Sequence, residues 1–201
     1  MPILVYHYVE YPSDPNDTIR RSLTVLPVNL DREIKTLLDG GYRIITLEDL
    51  YLAIYNKEDI PEKSVIVTFD DGYRDFYTDA FPIVEKYKIP VTVFVPTGLI
   101  NHPNYLTYAQ IKEIIQSKFK EILQEVSYSK KFFEDTYGVK MKYFAYPYGA
   151  YNNKVGKYIK DAGFILAASM VGDGTHKDSE STLYHLPRLK MGNATVTTFF
   201  K

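Results

Sequence analysis

Cysteine and tryptophan are both absent from this chain of 201 residues. Without cysteine, disulfides, thiolate catalysis and cysteine metal sites are excluded together. No apolar run approaches the ~20 residues needed to cross a bilayer, and no signal peptide is recognisable in front of the first apolar run, Pro2–Val5. The absence of cysteine suits an exported protein. We therefore expect an extracytoplasmic location, with any signal or anchor outside these residues.

The chain also has little net charge. The 24 Lys and Arg residues nearly cancel the 25 Asp and Glu residues, which leaves a formal charge of -1. Because no long block of like charge occurs, we expect no nucleic-acid partner and no membrane insertion. The length suits a single domain spanning residues 1–201. Tyrosine is abundant, with 19 residues, and tyrosines either stack on sugar faces in a cleft or simply pack.

Apolar strand-like runs alternate with helix-like segments along the chain. Strands are predicted over Ile3–Tyr6, Arg43–Ile45, Ser64–Phe69, Val91–Val95, Phe119–Ile122, Tyr143–Tyr146 and Phe164–Ala168. Capping residues and glycine stops predict helices over Asn29–Asp39, Leu47–Tyr55, Arg74–Tyr87, Ile111–Ser117 and Leu123–Tyr137. This alternation predicts an α/β fold with a parallel sheet. Because ~200 residues is the lower bound for an eightfold barrel, an incomplete barrel is favoured over a full one, with a doubly wound open sheet as the alternative.

Two adjacent carboxylates, Asp70 and Asp71, follow the most strand-like run of the chain. Side chains at the carboxyl ends of parallel strands face the crevice where ligands bind. Gly72 permits a positive φ and an immediate turn, which would send the two carboxylates in different directions. The pair is therefore a candidate site. The alternative is that one carboxylate caps the following helix and the other is solvated.

Four segments resemble, in order, the polysaccharide deacetylases, the NodB-homology group of carbohydrate esterase family four. They are Pro2–His7, Val67–Tyr73, Tyr143–Gly149 and Leu186–Leu189. The resemblance spans nearly the whole chain and is specific only in combination. It implies a distorted, incomplete (β/α) barrel of the NodB-homology type. It also implies removal of N-acetyl groups from N-acetylhexosamine units of a polysaccharide such as poly-N-acetylglucosamine, peptidoglycan or chitin.

The resemblance also implies residue roles. Asp71 matches a ligand of a divalent metal, usually zinc, and Asp70 matches the general base that takes a proton from the attacking water. The tetrahedral intermediate would be stabilised by the metal and by the backbone N–H of Tyr148, with Tyr146 and Pro147 beside it as substrate-binding residues.

A general acid must protonate the leaving amine. His7 is the first candidate by resemblance, and a buried structural histidine is the comparable alternative for this residue. His185 is the second candidate. Tyr105, Tyr108, Tyr148 and Tyr151 are candidates for sugar contacts.

The third motif departs from the family at Ala145, where many relatives have an arginine that pairs with the catalytic base. Arg188 is then predicted to supply this charge from another strand, and an ordinary surface ion pair is the alternative.

The second family motif, two histidines four residues apart, is absent. The chain has only His7, His102, His176 and His185, so Asp71 is the sole recognisable metal ligand, and His102 is expected to be a solvated loop residue. The motif should follow the predicted strand Phe119–Ile122, which runs into the predicted helix from Leu123 without a turn. Either the protein has lost this segment, or residues near Ile122 are omitted from the sequence as written. We favour the omission.

Two other functions compete with the deacetylase. One is a catalytically inactive carbohydrate-binding protein that keeps the groove and lacks the metal. The other is a magnesium site for phosphoryl transfer, which ranks lower because the glycine-rich phosphate-binding loop is absent.

Overall fold

The computed structural model describes residues 1–116, 120–125, 130–170, 182–192 and 194–200. Within these ranges the strands, in chain order from β1 to β10, are Ile3–Tyr6, Tyr8–Val9, Thr24–Val25, Arg43–Ile44, Ser64–Phe69, Val91–Pro96, Lys120–Glu125, Tyr143–Ala145, Leu166–Ala168 and Leu189–Lys190. The α-helices, in chain order from α1 to α8, are Thr18–Leu23, Pro27–Asp39, Leu47–Asn56, Phe81–Tyr87, Tyr108–Gln116, Lys130–Tyr137, Asn153–Asp161 and Val196–Phe199.

The main sheet is parallel, with the strand order β10-β1-β5-β6-β7, and β4 also pairs with β5. Two smaller parallel pairs, β2-β3 and β8-β9, complete the strands of the described residues. Between β7 and β8 no ladder is formed within the described ranges, so the barrel is not closed there. The prediction of an α/β fold with an incomplete parallel barrel is confirmed.

Burial explains why β1 and β5 form the centre of this sheet. Every residue of Ile3–Tyr6 and of Ser64–Phe69 is buried, because both faces of these strands are covered. Continuous apolar runs of this kind are typical of parallel strands. Both strands end at the same edge, where Tyr6 pairs with Phe69. The residues that follow them, His7 and Asp70, are therefore brought to one end of the sheet.

Several predicted boundaries need correction. Helix α2 begins at Pro27, two residues before the predicted cap, because proline is favoured at the first helical position. The segment predicted as a helix over Arg74–Tyr87 is helical over those residues, with the π-helical stretch Phe76–Ala80 preceding α4. Helix α1 and the two-residue strands β2, β3 and β10 were not predicted, because elements this short carry no periodic signal.

The predicted fusion of strand to helix near Ile122 is wrong. Strand β7 runs unbroken to Glu125, with Ile122 paired to Val93 and Leu123 paired to Phe94. Helix α6 begins only at Lys130, so Ser127 and Ser129 separate the two elements in the sequence. The local argument for omitted residues at Ile122 therefore falls, and only the absence of the histidine motif still supports it. The first residue of the predicted strand, Phe119, lies outside the described residues.

Not one of the described helices combines the length and the apolar character that a membrane span requires.

A buried carboxyl in α2 makes stability depend on pH. Glu33 is only 5% exposed, and the Tyr6 hydroxyl donates a hydrogen bond to its Oε2 at 2.9 Å. Burial raises the pKa of Glu33 from 4.5 to about 7, although the hydrogen bond from Tyr6 opposes this. Because folding raises this pKa, the protonated Glu33 contributes stability below pH 4.5. That contribution is lost as the pH rises through about 7.

Replacing Glu33 with Gln is expected to stabilise the protein at pH 8 by roughly 2–3 kcal/mol and to leave it nearly unchanged at pH 4. Glutamine keeps an acceptor for Tyr6 but carries no charge to bury. Urea unfolding at both pH values measures the difference, with the exposed Glu62→Gln as the matched control. Equal effects of the two substitutions at pH 8 would contradict the assignment of a buried, titrating Glu33.

Candidate active site

The turn after β5 separates the two carboxylates. Asp71 and Gly72 both have positive φ, 65° and 57°, so the chain reverses immediately after Asp70. A Cβ on Gly72 would lie 3.0 Å from Cγ1 of Val95 in β6, and glycine therefore fits both the backbone conformation and the close approach. The predicted break at Gly72 is present. The positive φ of Asp71 itself was not predicted, since non-glycine residues rarely adopt it.

Asp70 is held by Arg188 in a two-pronged ion pair. Nη1 of Arg188 donates to Oδ1 at 2.6 Å and Nη2 donates to Oδ2 at 2.7 Å. The Asp70 backbone N–H also donates to the Tyr6 carbonyl at 2.9 Å, which fixes the carboxylate from both ends. The contact proposed from the sequence between Arg188 and Asp70 is thus present. Its role in catalysis remains a prediction.

Arg188 is buried, at 2% exposure, so the alternative of a surface ion pair is wrong. Beyond Asp70, its Nη1 donates to the Thr68 hydroxyl at 3.2 Å and its Nε donates to the Ser169 carbonyl at 3.2 Å. Its guanidinium lies 5.3 Å from the centre of the Phe94 ring. All three nitrogens of the guanidinium therefore donate hydrogen bonds to groups of the protein. Such a buried charge requires its carboxylate partner.

His7 and Asp71 lie near the ion pair of Arg188 with Asp70, and both interact with its charges. Burial lowers the pKa of His7, and the nearby carboxylates of Asp70 and Asp71 oppose that shift. Burial raises the pKa of Asp71, and the charge of Asp70 raises it further. Within the described part of the chain, Nδ1 of His7 is buried without a hydrogen-bond partner. A structural histidine held by a backbone hydrogen bond at Nδ1 is therefore not what the structure contains.

These groups line a cleft of about 440 Å³. The predicted site residues on its wall are His7, Asp70, Asp71, Tyr146, Pro147 and Tyr148, together with Ala145. Tyr148 is fully exposed and has a positive φ of 55° in the short 3-10 turn Pro147–Gly149. The loop of the third motif is thus brought against the turn of the acid pair.

Other predicted residues lie elsewhere. The His185 ring stacks on Tyr151, with centroids 4.2 Å apart, and neither residue lines the cleft. Tyr108 lines a larger cavity of about 580 Å³ between α5 and α6, whose described lining contains no acid and no histidine. His102 is exposed, as expected for a loop residue. Of the additional tyrosines proposed as sugar contacts, Tyr105 lines the cleft.

An aromatic part of the cleft wall was only partly foreseen from the sequence, through Tyr105. Tyr8 stacks on Tyr73 with ring centroids 4.1 Å apart, and Tyr73 packs against Tyr105 at 5.1 Å. All three line the cleft, as do Ile19 and Leu23 of α1. Tyr73 belongs to the second quoted segment, and Tyr8 follows the candidate acid directly, so their positions offered a weak signal. No signal in the sequence indicated that α1 would line the cleft.

Comparison with known proteins assigns the family. A family model of polysaccharide deacetylases matches residues 57–119 and 101–167, which together cover more than half of the chain. The chain belongs to the polysaccharide deacetylase family. The resemblance read from the four sequence segments is confirmed at this level, and the structural neighbours share its NodB-type fold.

Three relatives illustrate the extent of this likeness. A putative polysaccharide deacetylase of Bacillus subtilis, YxkH, is 28% identical and is aligned over 96% of this chain and 72% of its own length. A poly-beta-1,6-N-acetyl-D-glucosamine N-deacetylase of Staphylococcus aureus is 25% identical, over 84% of this chain and 68% of its own. The solved structure of the Streptococcus pyogenes deacetylase PplD in complex with acetate is 27% identical with a TM-score of 0.87, covering 98% of this chain and 95% of PplD.

The residues that the structure describes do not form the metal site that the resemblance implies. Catalytic zinc is normally held by three protein ligands. Among the residues that the structure describes, no group of three or more His, Asp or Glu side chains could hold a metal ion. Asp71 is one family-matched donor, and the chain has no two histidines four residues apart. His176 lies outside the described residues.

Proposed function

We propose that this protein removes N-acetyl groups from N-acetylhexosamine units of an extracellular polysaccharide of the poly-N-acetylglucosamine type. The observation that carries the proposal is the buried Arg188 clamp on Asp70, placed in one cleft with Asp71 and His7. The name of the Staphylococcus aureus relative supports the polymer class. No nucleic acid or membrane-spanning segment enters the proposal.

Asp70 is the proposed general base. A carboxylate has about four lone-pair sites, and the two hydrogen bonds from Arg188 leave others free toward the cleft. Arg188 holds the planar carboxylate in one orientation, because a guanidinium fork matches both oxygens at once. In the reaction, Asp70 accepts a proton from water while the water oxygen attacks the acetamide carbonyl carbon.

The carbonyl oxygen gains negative charge in this step and requires donors. The Tyr148 backbone N–H is the proposed donor, on a turn that is anchored to the sheet. The Tyr146 N–H donates to the Ala168 carbonyl at 2.9 Å, and the Gly149 N–H donates to the Tyr146 carbonyl at 2.8 Å. Tyr146 and Pro147 form the adjoining wall of the cleft and are proposed to contact the sugar.

His7 is the proposed general acid. When the tetrahedral intermediate collapses, the carbon–nitrogen bond breaks and the sugar nitrogen takes a proton from His7, which leaves acetate and a free amine. His7 follows β1 directly and lies beside both carboxylates, whereas His185 lies outside the cleft.

Replacing His7 with Gln is expected to lower kcat for acetate release from N-acetylglucosamine oligomers by roughly 10- to 10²-fold. The same variant should hydrolyse p-nitrophenyl acetate within about threefold of the wild-type rate, because p-nitrophenolate leaves without a proton. Matched His185→Gln should leave both rates unchanged. An equal loss on both substrates would instead assign His7 a role in holding the fold or activating water.

Zinc dependence is a separate proposal, because no step above depends on a bound metal. The family resemblance supports it. The His, Asp and Glu side chains of the described residues do not support it, because they form no group that could hold a metal ion. Acetate release with added Zn²⁺ or Co²⁺, compared with release after chelation, measures it directly. Restoration of activity by either metal would support a zinc site, and equal rates in all three conditions would exclude a metal requirement.

A second function is a carbohydrate-binding protein without catalysis, which is favoured by the missing pair of histidines. The two functions differ in one experiment. Acetate and new free amines are measured after incubation with N-acetylglucosamine oligomers in the presence of zinc, and binding of the same oligomers is measured by calorimetry. Acetate release supports the deacetylase. Binding without any release supports the binding protein.

A further inference from the structure

Helix α1 presents apolar side chains to the cleft. Ile19 and Leu23 both line the cavity that contains Asp70 and Asp71, and Ile19 is 75% exposed. Ligand clefts are lined mostly by apolar side chains with a few polar groups, so Ile19 and Leu23 are candidates for contact with a ligand bound beside the acids.

This edge is held rigidly in place. Arg20 is paired with Glu10 through Nε to Oε1 at 2.5 Å and Nη2 to Oε2 at 2.7 Å. Its guanidinium also lies 4.2 Å from the centre of the Tyr8 ring on the cleft wall. At the other end of α1, a Cβ on Gly192 would lie 2.5 Å from the Ser22 carbonyl oxygen, so α1 packs closely against the chain after β10.

The charged side chains of α1 are held by partners within the protein. Arg20 is committed to Glu10, and Nη1 of Arg21 donates to the Pro15 carbonyl at 2.9 Å. The side chains that α1 contributes to the described cleft wall are Ile19 and Leu23. These two side chains therefore offer a bound ligand hydrocarbon and no polar group.

We propose that Ile19 and Leu23 form a subsite for the N-acetyl methyl group of a sugar next to the one being deacetylated. This inference rests on the proposed function. Covering a methyl group with aliphatic side chains is favourable, whereas a deacetylated neighbour would place an ammonium group against hydrocarbon and lose hydration. The enzyme therefore prefers acetylated stretches of its polymer and slows as its own product accumulates along the chain.

The test compares two β-1,6-linked glucosamine pentamers, one fully N-acetylated and one deacetylated at alternate residues. The wild-type protein is expected to favour the first by roughly tenfold in kcat/KM. Ile19→Ser should lose roughly five- to twentyfold on the fully acetylated pentamer, mainly through KM, and change less than twofold on the other. Val28→Ser, a matched change at a half-exposed position on α2 outside the cleft, should behave as wild type.

Equal losses of Ile19→Ser on both pentamers, or no loss on either, would overturn the subsite. If the wild-type protein releases no acetate from either pentamer, the proposed function fails and calorimetric binding of the same pentamers decides the inference. Tighter wild-type binding of the acetylated pentamer that is lost in Ile19→Ser would support the subsite. Equal binding of both pentamers by the wild-type protein would overturn it.

Discussion

Replacing Asp70 with Asn is expected to lower kcat for acetate release by roughly 10²- to 10⁴-fold. Asparagine has nearly the same shape, but its amide cannot accept the proton of the attacking water. It also offers Arg188 one oxygen in place of two and removes the negative charge opposite a buried guanidinium. Loss is expected on p-nitrophenyl acetate as well, since water activation is required for both substrates.

The measurement is kcat on N-acetylglucosamine oligomers, with unfolding by urea recorded for the same preparations. Asp161→Asn, at an exposed position near the end of α7, is the matched control and should leave both quantities unchanged. A folded Asp70→Asn protein that retains wild-type kcat would remove Asp70 from the reaction.

Replacing Arg188 with Ala is expected to lower the free energy of unfolding by roughly 3–5 kcal/mol, because it leaves the largely buried Asp70 carboxylate without its counter-ion. The same change should sharply lower kcat/KM, since the carboxylate loses its fixed orientation. Arg188→Lys keeps the charge but cannot match both oxygens. It is expected to recover most of the stability and only part of the activity.

Urea unfolding and steady-state kinetics on both variants separate the two effects. Should Arg188→Ala fail to fold, the lysine variant alone carries the test, because it keeps the charge and removes the two-pronged geometry. A double-mutant cycle with Asp70→Asn should give a coupling of roughly 0.5–3 kcal/mol. Unchanged kinetics in a folded Arg188→Ala protein would contradict the clamp.

The long, buried elements were predictable from the sequence. Strands β1 and β5 are continuous apolar runs, and Thr46 forms a reciprocal capping box with Asp49 at the start of α3. Short elements without a period were not predictable. Strand β2, strand β3 and helix α1 are held together by tertiary contacts such as the pair between Arg20 and Glu10.

The boundary after β7 was mistaken for a physical reason. The stretch Lys120–Glu125 mixes apolar and charged residues in a pattern that fits a half-buried strand as well as a helix turn. Pairing with β6 along its whole length decides in favour of the strand. Periodicity alone cannot supply that information, because it is a property of the neighbouring strand.

The acid pair and its partner were predictable in different ways. Asp70 and Asp71 stand out locally, after a buried strand and before glycine. Arg188 is 118 residues away from Asp70, and its contact with Asp70 was proposed only because Ala145 departs from the family pattern. Of the aromatic wall, Tyr105 was proposed from the sequence as a sugar contact, whereas Tyr8 and Tyr73 were found only in the structure.

The most direct test of the central role given to this cleft is acetate release from fully N-acetylated β-1,6-linked glucosamine pentamer, with and without zinc, by wild-type and Asp70→Asn proteins. We predict stoichiometric appearance of acetate and free amine with the wild-type protein and at least a hundredfold slower release with the variant, roughly as loss of a general base requires. No release by the wild-type protein in either condition, or equal release by both proteins, would contradict the account.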